Sequence, residues 1–328
     1  MHVTRILIIM PAWIGDLVIS SSFVNALKKN NRDLQIDILV NENLADVAKL
    51  IPNISNIILS KTKHKKLSLL YRIKLGLSLK NKYSRCYILT NSFKSAIIPF
   101  IAGIRERIGY IGEFRYGLIN CIKEKIGRNH GMANRYLNLI NEKYESMLKP
   151  NFVSKLATKK RKQLFDKSEK YIVFCPDAEY GPAKKWPIEN WIDLACKLIV
   201  NYQVIFVGLD LSVQEKVNNI DSGKVINLIG ETNLMDVIDI ISHADCVVSN
   251  DSGLMHISSA FNRPVVAIYG SSSPVYTPPL NSEEKSEIVY KALSCSPCFK
   301  SICPLGHTNC LNNITVQDVQ KSVEKLTK

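Results

Sequence analysis

The sequence predicts an α/β protein built as two open, parallel sheets. Short apolar runs of strand length alternate with helix-length amphipathic stretches through most of the chain, the pattern of parallel strands joined by helical crossovers. The alternation occurs twice, on either side of a charged segment from about Lys149 to Lys170 that carries no strand signal. With 328 residues, 46% of them hydrophobic, each half is large enough to bury its own core. We place the domains at residues 1–160 and 161–328, with the linker between them.

In the first half, Arg5 to Met10, Gln35 to Val40, Asn56 to Leu59 and Arg85 to Thr90 read as strands. Helices are expected to begin near Asp16, Glu42, Lys65 and Ser92. In the second half, Tyr171 to Cys175, Gln203 to Gly208, Val225 to Ile229, Cys246 to Ser249 and Pro264 to Tyr269 repeat the pattern, with helices near Asn190, Ser212, Asn233 and Gly253. The final stretch from Thr315 to Leu326 has Thr315 as N-cap and Val316, Val319, Val323 and Leu326 at helical spacing. Packing of this helix back onto the first domain is one placement for it. Open α/β sheets bind ligands beyond the carboxyl ends of their strands, so the chemistry is to be sought in the loops that follow strands.

The formal charge of +14, from 43 Lys and Arg against 29 Asp and Glu, calls for an anionic partner: nucleic acid, an anionic membrane surface or a phosphorylated substrate. Part of the excess is also consistent with a compositional bias toward Lys, Ile and Asn. Between Lys61 and Arg85 nine Lys and Arg residues occur without an Asp or Glu, interleaved with six leucines, which reads as an amphipathic basic helix. Its side chains face either the core or a membrane surface. A second basic run extends from Lys155 to Lys162. No helix-turn-helix or aromatic-interleaved RNA motif accompanies the charge, which argues against nucleic acid. The apolar stretch from Ile6 to Val24 is interrupted by Pro11, Gly15 and Asp16 and does not read as a leader or a span. The nine cysteines fit a cytosolic chain with reduced thiols.

Three loops carry the candidate chemistry. The first strand runs into Pro11-Ala12-Trp13-Ile14-Gly15-Asp16, where Asp16 either caps the following helix or acts as a general base. The absence of a G-x-G-x-x-G turn argues against a dinucleotide enzyme. In the second half, the loop from Cys175 to Pro187 places Lys184 and Lys185 where they can face a diphosphate. After the strand ending at Ser249, Asn250-Asp251-Ser252-Gly253-Leu254-Met255-His256 enters a helix, and the backbone N–H groups of Ser252, Gly253 and Leu254 form an anion site. Asp251 is expected to cap that helix or to accept hydrogen bonds from sugar hydroxyls, and His256 is a donor or a core residue. No D-x-D pair occurs on these loops, so lysine and helix dipoles are left to balance a diphosphate. Near the end, Cys295, Cys298, Cys303, Cys310 and His307 lie within sixteen residues, a spacing compatible with structural zinc or with small buried thiols.

Taken with Asn91-Ser92-Phe93-Lys94-Ser95-Ala96, Gly181 to Pro187, Tyr276-Thr277-Pro278-Pro279 and the cysteine loop, these blocks resemble the bacterial lipopolysaccharide heptosyltransferases of glycosyltransferase family 9, along nearly the whole chain. The resemblance implies a GT-B fold, two Rossmann-like domains with parallel sheets facing across a cleft. It implies inverting, metal-independent transfer of L-glycero-D-manno-heptose from ADP-heptose, without a cofactor, to a heptosylated Kdo-lipid A acceptor at the cytoplasmic face of the inner membrane. By the same resemblance Asp16 is the general base and Lys184 faces the donor phosphates. Thr232, Asp210, Asp251, Ser252, Gly253, Leu254 and His256 surround the donor. Trp13, Gly15, Asn91, Lys94, Arg105, Arg107 and Arg115 are acceptor-side candidates. Asp177-Ala178-Glu179-Tyr180 departs from the Gly-Ala-Glu-Phe of this subgroup, and Asp210 lies near the family's acidic ribose contact, not on it. The competing readings are a heptosyltransferase acting at another core position and a nucleotide-sugar-binding protein without catalysis.

Overall fold

In a computed structural model of the chain, residues 5–62, 66–153 and 170–328 are described. The chain divides into two compact units, Met1–Phe152 and Val153–Lys328. The boundary drawn at 160/161 and the basic run from Lys155 to Lys162 lie outside the described residues.

The first unit is a six-stranded sheet of β1 (Arg5–Ile9), β2 (Gln35–Asn41), β3 (Asn56–Ser60), β4 (Arg85–Ile88), β5 (Glu106–Tyr110) and β6 (Cys121–Lys123), in the order β3-β2-β1-β4-β5-β6. Every pairing in it is parallel. The second unit repeats this with β7 (Tyr171–Cys175), β8 (Gln203–Phe206), β9 (Val225–Asn227), β10 (Cys246–Asn250), β11 (Val265–Tyr269) and β12 (Ser286–Tyr290), in the order β12-β11-β10-β7-β8-β9. Runs such as Arg5-Ile6-Leu7-Ile8-Ile9 and Tyr171-Ile172-Val173-Phe174-Cys175 are almost wholly buried, as strands covered by helices on both faces must be. The strand order reverses between β1 and β4 and again between β7 and β10. The loops leaving these four strands therefore border the crevice in which a doubly wound sheet takes a ligand.

The helix Ile14–Asn30 that leaves β1 is buried on most of its circumference. Ser20, Ser21 and Ser22 reach that environment by returning their hydroxyls to the carbonyls of Leu17, Val18 and Ile19 at 2.6–2.7 Å. In the second unit Trp186, Trp191, Phe174 and Phe206 meet edge to face, with centroids 5.2–5.5 Å apart. Val316, Val319 and Val323 of the last helix, Val316–Thr327, belong to the same core, and Trp186 Nε1 donates to the Ile314 carbonyl at 3.0 Å. The apolar stripe of this helix closes the second sheet. Thr315 caps it with a full capping box, as its sequence indicates.

Three strands escape the sequence reading: β5, β6 and β12. The basic segment is helical at Leu69–Ser78, and its apolar side is only partly inward. Leu67, Leu69, Leu70 and Leu77 are exposed, while Arg72 is buried, donating to the carbonyls of Leu67 and Lys94. Among the described residues no helix is long and apolar enough to cross a membrane.

Candidate active site

At the reversal point of the second sheet, the loops after β7 and β10 are locked together by Asn250. Its side-chain amide donates to the Pro176 carbonyl at 2.6 Å and its oxygen accepts the Trp186 N–H at 3.1 Å. The turn Pro182–Lys184 is clamped from two further sides. Ala183 N donates to the Ser301 carbonyl at 3.0 Å, and Ser271 N donates to the Ala183 carbonyl at 3.1 Å. Gly181 precedes that turn at φ 143°, where a Cβ would stand 2.5 Å from the Ser301 oxygen. Only glycine fits there.

This frame delivers Lys184 Nζ to 2.6 Å from Asp251 Oδ2, with side-chain exposures of 17% and 4%. The ammonium also lies 5.1 Å from the centre of the Tyr180 ring, whose hydroxyl donates to the Phe299 carbonyl at 2.6 Å. His256 Nε2 is 3.9 Å from Asp251 Oδ1. Burial lowers the His256 pKa to about 4 against the pull of Asp251, so its imidazole is neutral at pH 7. Asp251 is therefore not the helix cap. Ser252 occupies that position and makes no side-chain cap bond to the helix Gly253–Ala260, so the first-turn N–H groups of Gly253 and Leu254 have no side-chain cap. The arrangement pairs a held lysine with a helix N-terminus, a field suited to an anion beside Asp251.

Lys185 lies in a second network. Its Nζ is 2.7 Å from Asp210 Oδ2 and 3.8 Å from Asp177 Oδ1. Asp177 Oδ2 accepts the backbone N–H groups of Leu209 and Asp210 at 2.6 and 3.0 Å. Asp210 caps the helix Leu211–Asn218 through Ser212, and its pKa falls to about 2, first through Lys185 and then through Ser212. Both oxygens of Asp210 are thus engaged within the protein. Thr232, on the loop after β9, donates to the Leu228 carbonyl at 3.3 Å. Lys185, expected to face a diphosphate, is held by Asp210 and Asp177 instead, and the sequence assigns no role to Asn250, Tyr180 or Asp177. The available signal was a short buried polar residue at the end of a strand, which must find partners.

In the first unit, Gly15 and Asp16 occupy the first turn of the helix Ile14–Asn30, with Trp13 at its N-cap and 43% exposed. An acidic group there is favoured by the helix dipole. Asn91 and Lys94 lie on the loop after β4, and Gly112 packs against the Asn91 backbone. Two acceptor-side assignments need correction. Arg115 is fully buried and donates to the Tyr110 carbonyl at 3.1 and 2.7 Å, to the Ser92 carbonyl at 3.2 Å and to Ser95 Oγ at 3.0 Å. Burial lowers its pKa to about 10. Arg107 donates to the carbonyls of Ile104, Leu118 and Gly117 and covers the Phe100 ring. Both brace loops. Arg105 is exposed and Lys94 partly so.

Cys295, Cys298, Cys303, Cys310 and His307 line one small pocket beside Ala183. Hydrogen bonds from backbone N–H groups, that of Thr308 foremost, lower the Cys303 pKa. Among the described residues no group of three or more His, Cys, Asp or Glu side chains is placed to hold a metal ion. The loop also carries Ser301 and Phe299, which hold the Lys184 turn.

Residues 72–309 match the family described as Glycosyltransferase family 9 (heptosyltransferase). The chain is 34% identical to lipopolysaccharide heptosyltransferase 2 of Escherichia coli K12, covering 98% of both chains. It is 37% identical to lipooligosaccharide heptosyltransferase 2 of Haemophilus influenzae over 85% of this chain and 87% of that one. The solved structure of E. coli ADP-heptose lipopolysaccharide heptosyltransferase II superposes with a TM-score of 0.83 at 31% identity, over 99% and 98% of the two chains. The matched segment spans the loops after β4, β7 and β10, and the chain belongs to glycosyltransferase family 9, the heptosyltransferases.

Proposed function

We propose that this enzyme transfers L-glycero-D-manno-heptose from ADP-heptose to the first heptose of the lipopolysaccharide inner core, with inversion at the anomeric carbon. The observation that carries the substrate assignment is the similarity, over nearly the full length, to proteins named heptosyltransferase 2. The second unit takes the donor. Lys184 and the open first turn of Gly253–Ala260 face the diphosphate, and Asp251 fixes the lysine and accepts from the sugar. The first unit takes the acceptor, with Asp16 withdrawing the proton of the attacking hydroxyl as the oxygen bonds to the anomeric carbon and ADP departs. Neutral His256 contributes a ring N–H without adding charge.

The acceptor is a lipid, and the enzyme works against the cytoplasmic face of the inner membrane. The outward stripe Leu70, Lys74 and Leu77, flanked by Lys66 and Lys80, supports that part of the proposal. The test is ADP release from ADP-heptose, with and without monoheptosylated Kdo-lipid A. Acceptor-dependent release should fall at least about 100-fold in Asp16→Asn, the scale of a lost general base. Unchanged release removes Asp16 from the chemistry, and transfer only to heptose-free Kdo-lipid A moves the enzyme to another core position.

A further inference from the structure

Three adjacent strands of the first sheet, β1, β4 and β5, end in loops that each present an aromatic ring to solvent. Trp13 follows β1 and is 43% exposed, Phe93 follows β4 at 42%, and Phe114 and Tyr116 follow β5 at 87% and 65%. Single exposed apolar residues need no explanation, but four aromatic rings at the ligand-binding edge of one sheet do.

The loop after β5 holds them up against its own preference. Glu113 and Phe114 both have left-handed backbone, φ 43° and 51°, which non-glycine residues seldom adopt singly, and here two do so in succession. The surroundings enforce it from both sides. Buried Arg115 ties the following residue to the Tyr110 carbonyl and to Ser92 and Ser95 of the neighbouring loop. Glu113 Oε2 accepts the Phe93 N–H at 2.7 Å, which welds the two loops together. Gly112 sits against the Asn91 backbone, where a Cβ would stand 2.5 Å from the carbonyl oxygen. A strained turn, a fully buried guanidinium and a close glycine contact together maintain one outcome, a phenylalanine standing almost entirely in water.

We propose that Phe93, Phe114 and Tyr116, with Trp13, form a stacking platform for a pyranose ring of the acceptor saccharide. A pyranose carries its C–H bonds on its faces and its hydroxyls on its rim. A rigid aromatic face, negative at its centre, matches the former and leaves the latter to hydrogen bonding. The edge-lying loops also carry Asn91 and Lys94 for the rim hydroxyls and any attached anion. The platform rests on the reading that this enzyme's acceptor is a saccharide, and it assigns specificity to residues that carry no charge and no catalytic function.

The probe is an acyl-free heptosyl-Kdo saccharide, and the readout is Trp13 emission. Trp13 is exposed, while Trp186 and Trp191 are buried in the other unit, and Trp13→Phe identifies its share of the signal. The saccharide should perturb that emission. Phe114→Ala and Tyr116→Ala should each raise the half-saturating concentration about five- to tenfold, and Phe114→Trp should restore it. In turnover the same alanines should raise the acceptor KM by that factor and leave the donor KM unmoved. Phe114 is 87% exposed, so its replacement leaves folding intact, which circular dichroism checks. Equal saccharide binding by wild type and both alanine variants overturns the platform, as does an unperturbed Trp13. Wild-type binding by Phe114→Leu also overturns it, since an apolar volume would then serve as well as a ring. Saccharide binding without heptose transfer by the wild type overturns the enzymatic reading and leaves the platform standing.

Discussion

Replacing Lys184 by methionine removes the ammonium 2.6 Å from an Asp251 carboxylate whose side chain is only 4% exposed. A buried charge stripped of its partner costs about 3–5 kcal/mol of stability. The reverse change, Asp251→Asn, strands a lysine that is 17% exposed and has a four-carbon stem with which to reach water, so its cost should be lower, about 1–2 kcal/mol. The double variant leaves neither charge buried. Its loss should fall below the sum of the singles by about 2 kcal/mol, within the range of contacting pairs. The assay is urea unfolding followed at Trp186 and Trp191, which report on the unit that holds the pair. Donor turnover gives the second readout: each single variant should lose about 100-fold in kcat/KM, the scale of one misplaced electrostatic group. Additivity of the stability changes within about 0.5 kcal/mol would refute the coupling, because independent sites add to that precision.

Two further perturbations test the frame around that pair. His256 keeps its folded pKa near 4, below the ordinary 6.5, because it is buried. The unfolded chain therefore takes up a proton that the folded chain refuses as pH falls through that window. The neutral imidazole's contribution is complete above pH 6.5 and is withdrawn between 6.5 and about 4, to a total of about 3 kcal/mol. Denaturation midpoints at pH 7, 5.5 and 4.5 should fall accordingly, with the drop shallower in His256→Gln; parallel curves for the two proteins would exclude the histidine as its source. Gly181→Ala should destabilise the chain by at least about 1 kcal/mol and depress donor kcat/KM, because the new Cβ meets the Ser301 oxygen at a φ that alanine avoids. Gly223→Ala, whose Cβ meets nothing, is the matched control, and similar thermal shifts for the two variants would count against the clamp.

What the sequence reveals follows from how strands are buried. Runs such as Arg5–Ile9 and Val265–Tyr269 are continuous and apolar because helices cover both faces, and they are visible in one dimension. β6 and β12 lie at sheet edges, where one is three residues long and the other carries Glu287, and β5 begins with Glu106 and Arg107. Half-wet strands of this kind lack the signal. The stripe Val316, Val319 and Val323 announces a helix but not the surface it covers, which is the core of the second unit. Three of the four loops at the two reversal points, those after β1, β7 and β10, are legible as candidates from strand-loop-helix order, and the loop after β4 only from the family resemblance. The pairing of Lys184 with Asp251 was not, because it spans 67 positions and depends on β7 and β10 being neighbours. Arg115 and Arg107 read as acceptor-side cations because composition records charge, and neither the burial of the first nor the carbonyl partners of the second.

The hydrogen bond from Ala183 N to the Ser301 carbonyl has a consequence at the level of the gene. A stop codon shortly after β12, which ends at Tyr290, would leave all twelve described strands encoded. It would delete Ser301 from beneath the lysine turn, Phe299 from the Tyr180 hydroxyl, and the three valines and the Ile314 carbonyl from around Trp186. Such an allele, although it spares every described strand and every donor- and acceptor-side candidate, would behave as a donor-site lesion. The segment after β12 is a buttress, under the same constraint as the lysine it holds in place.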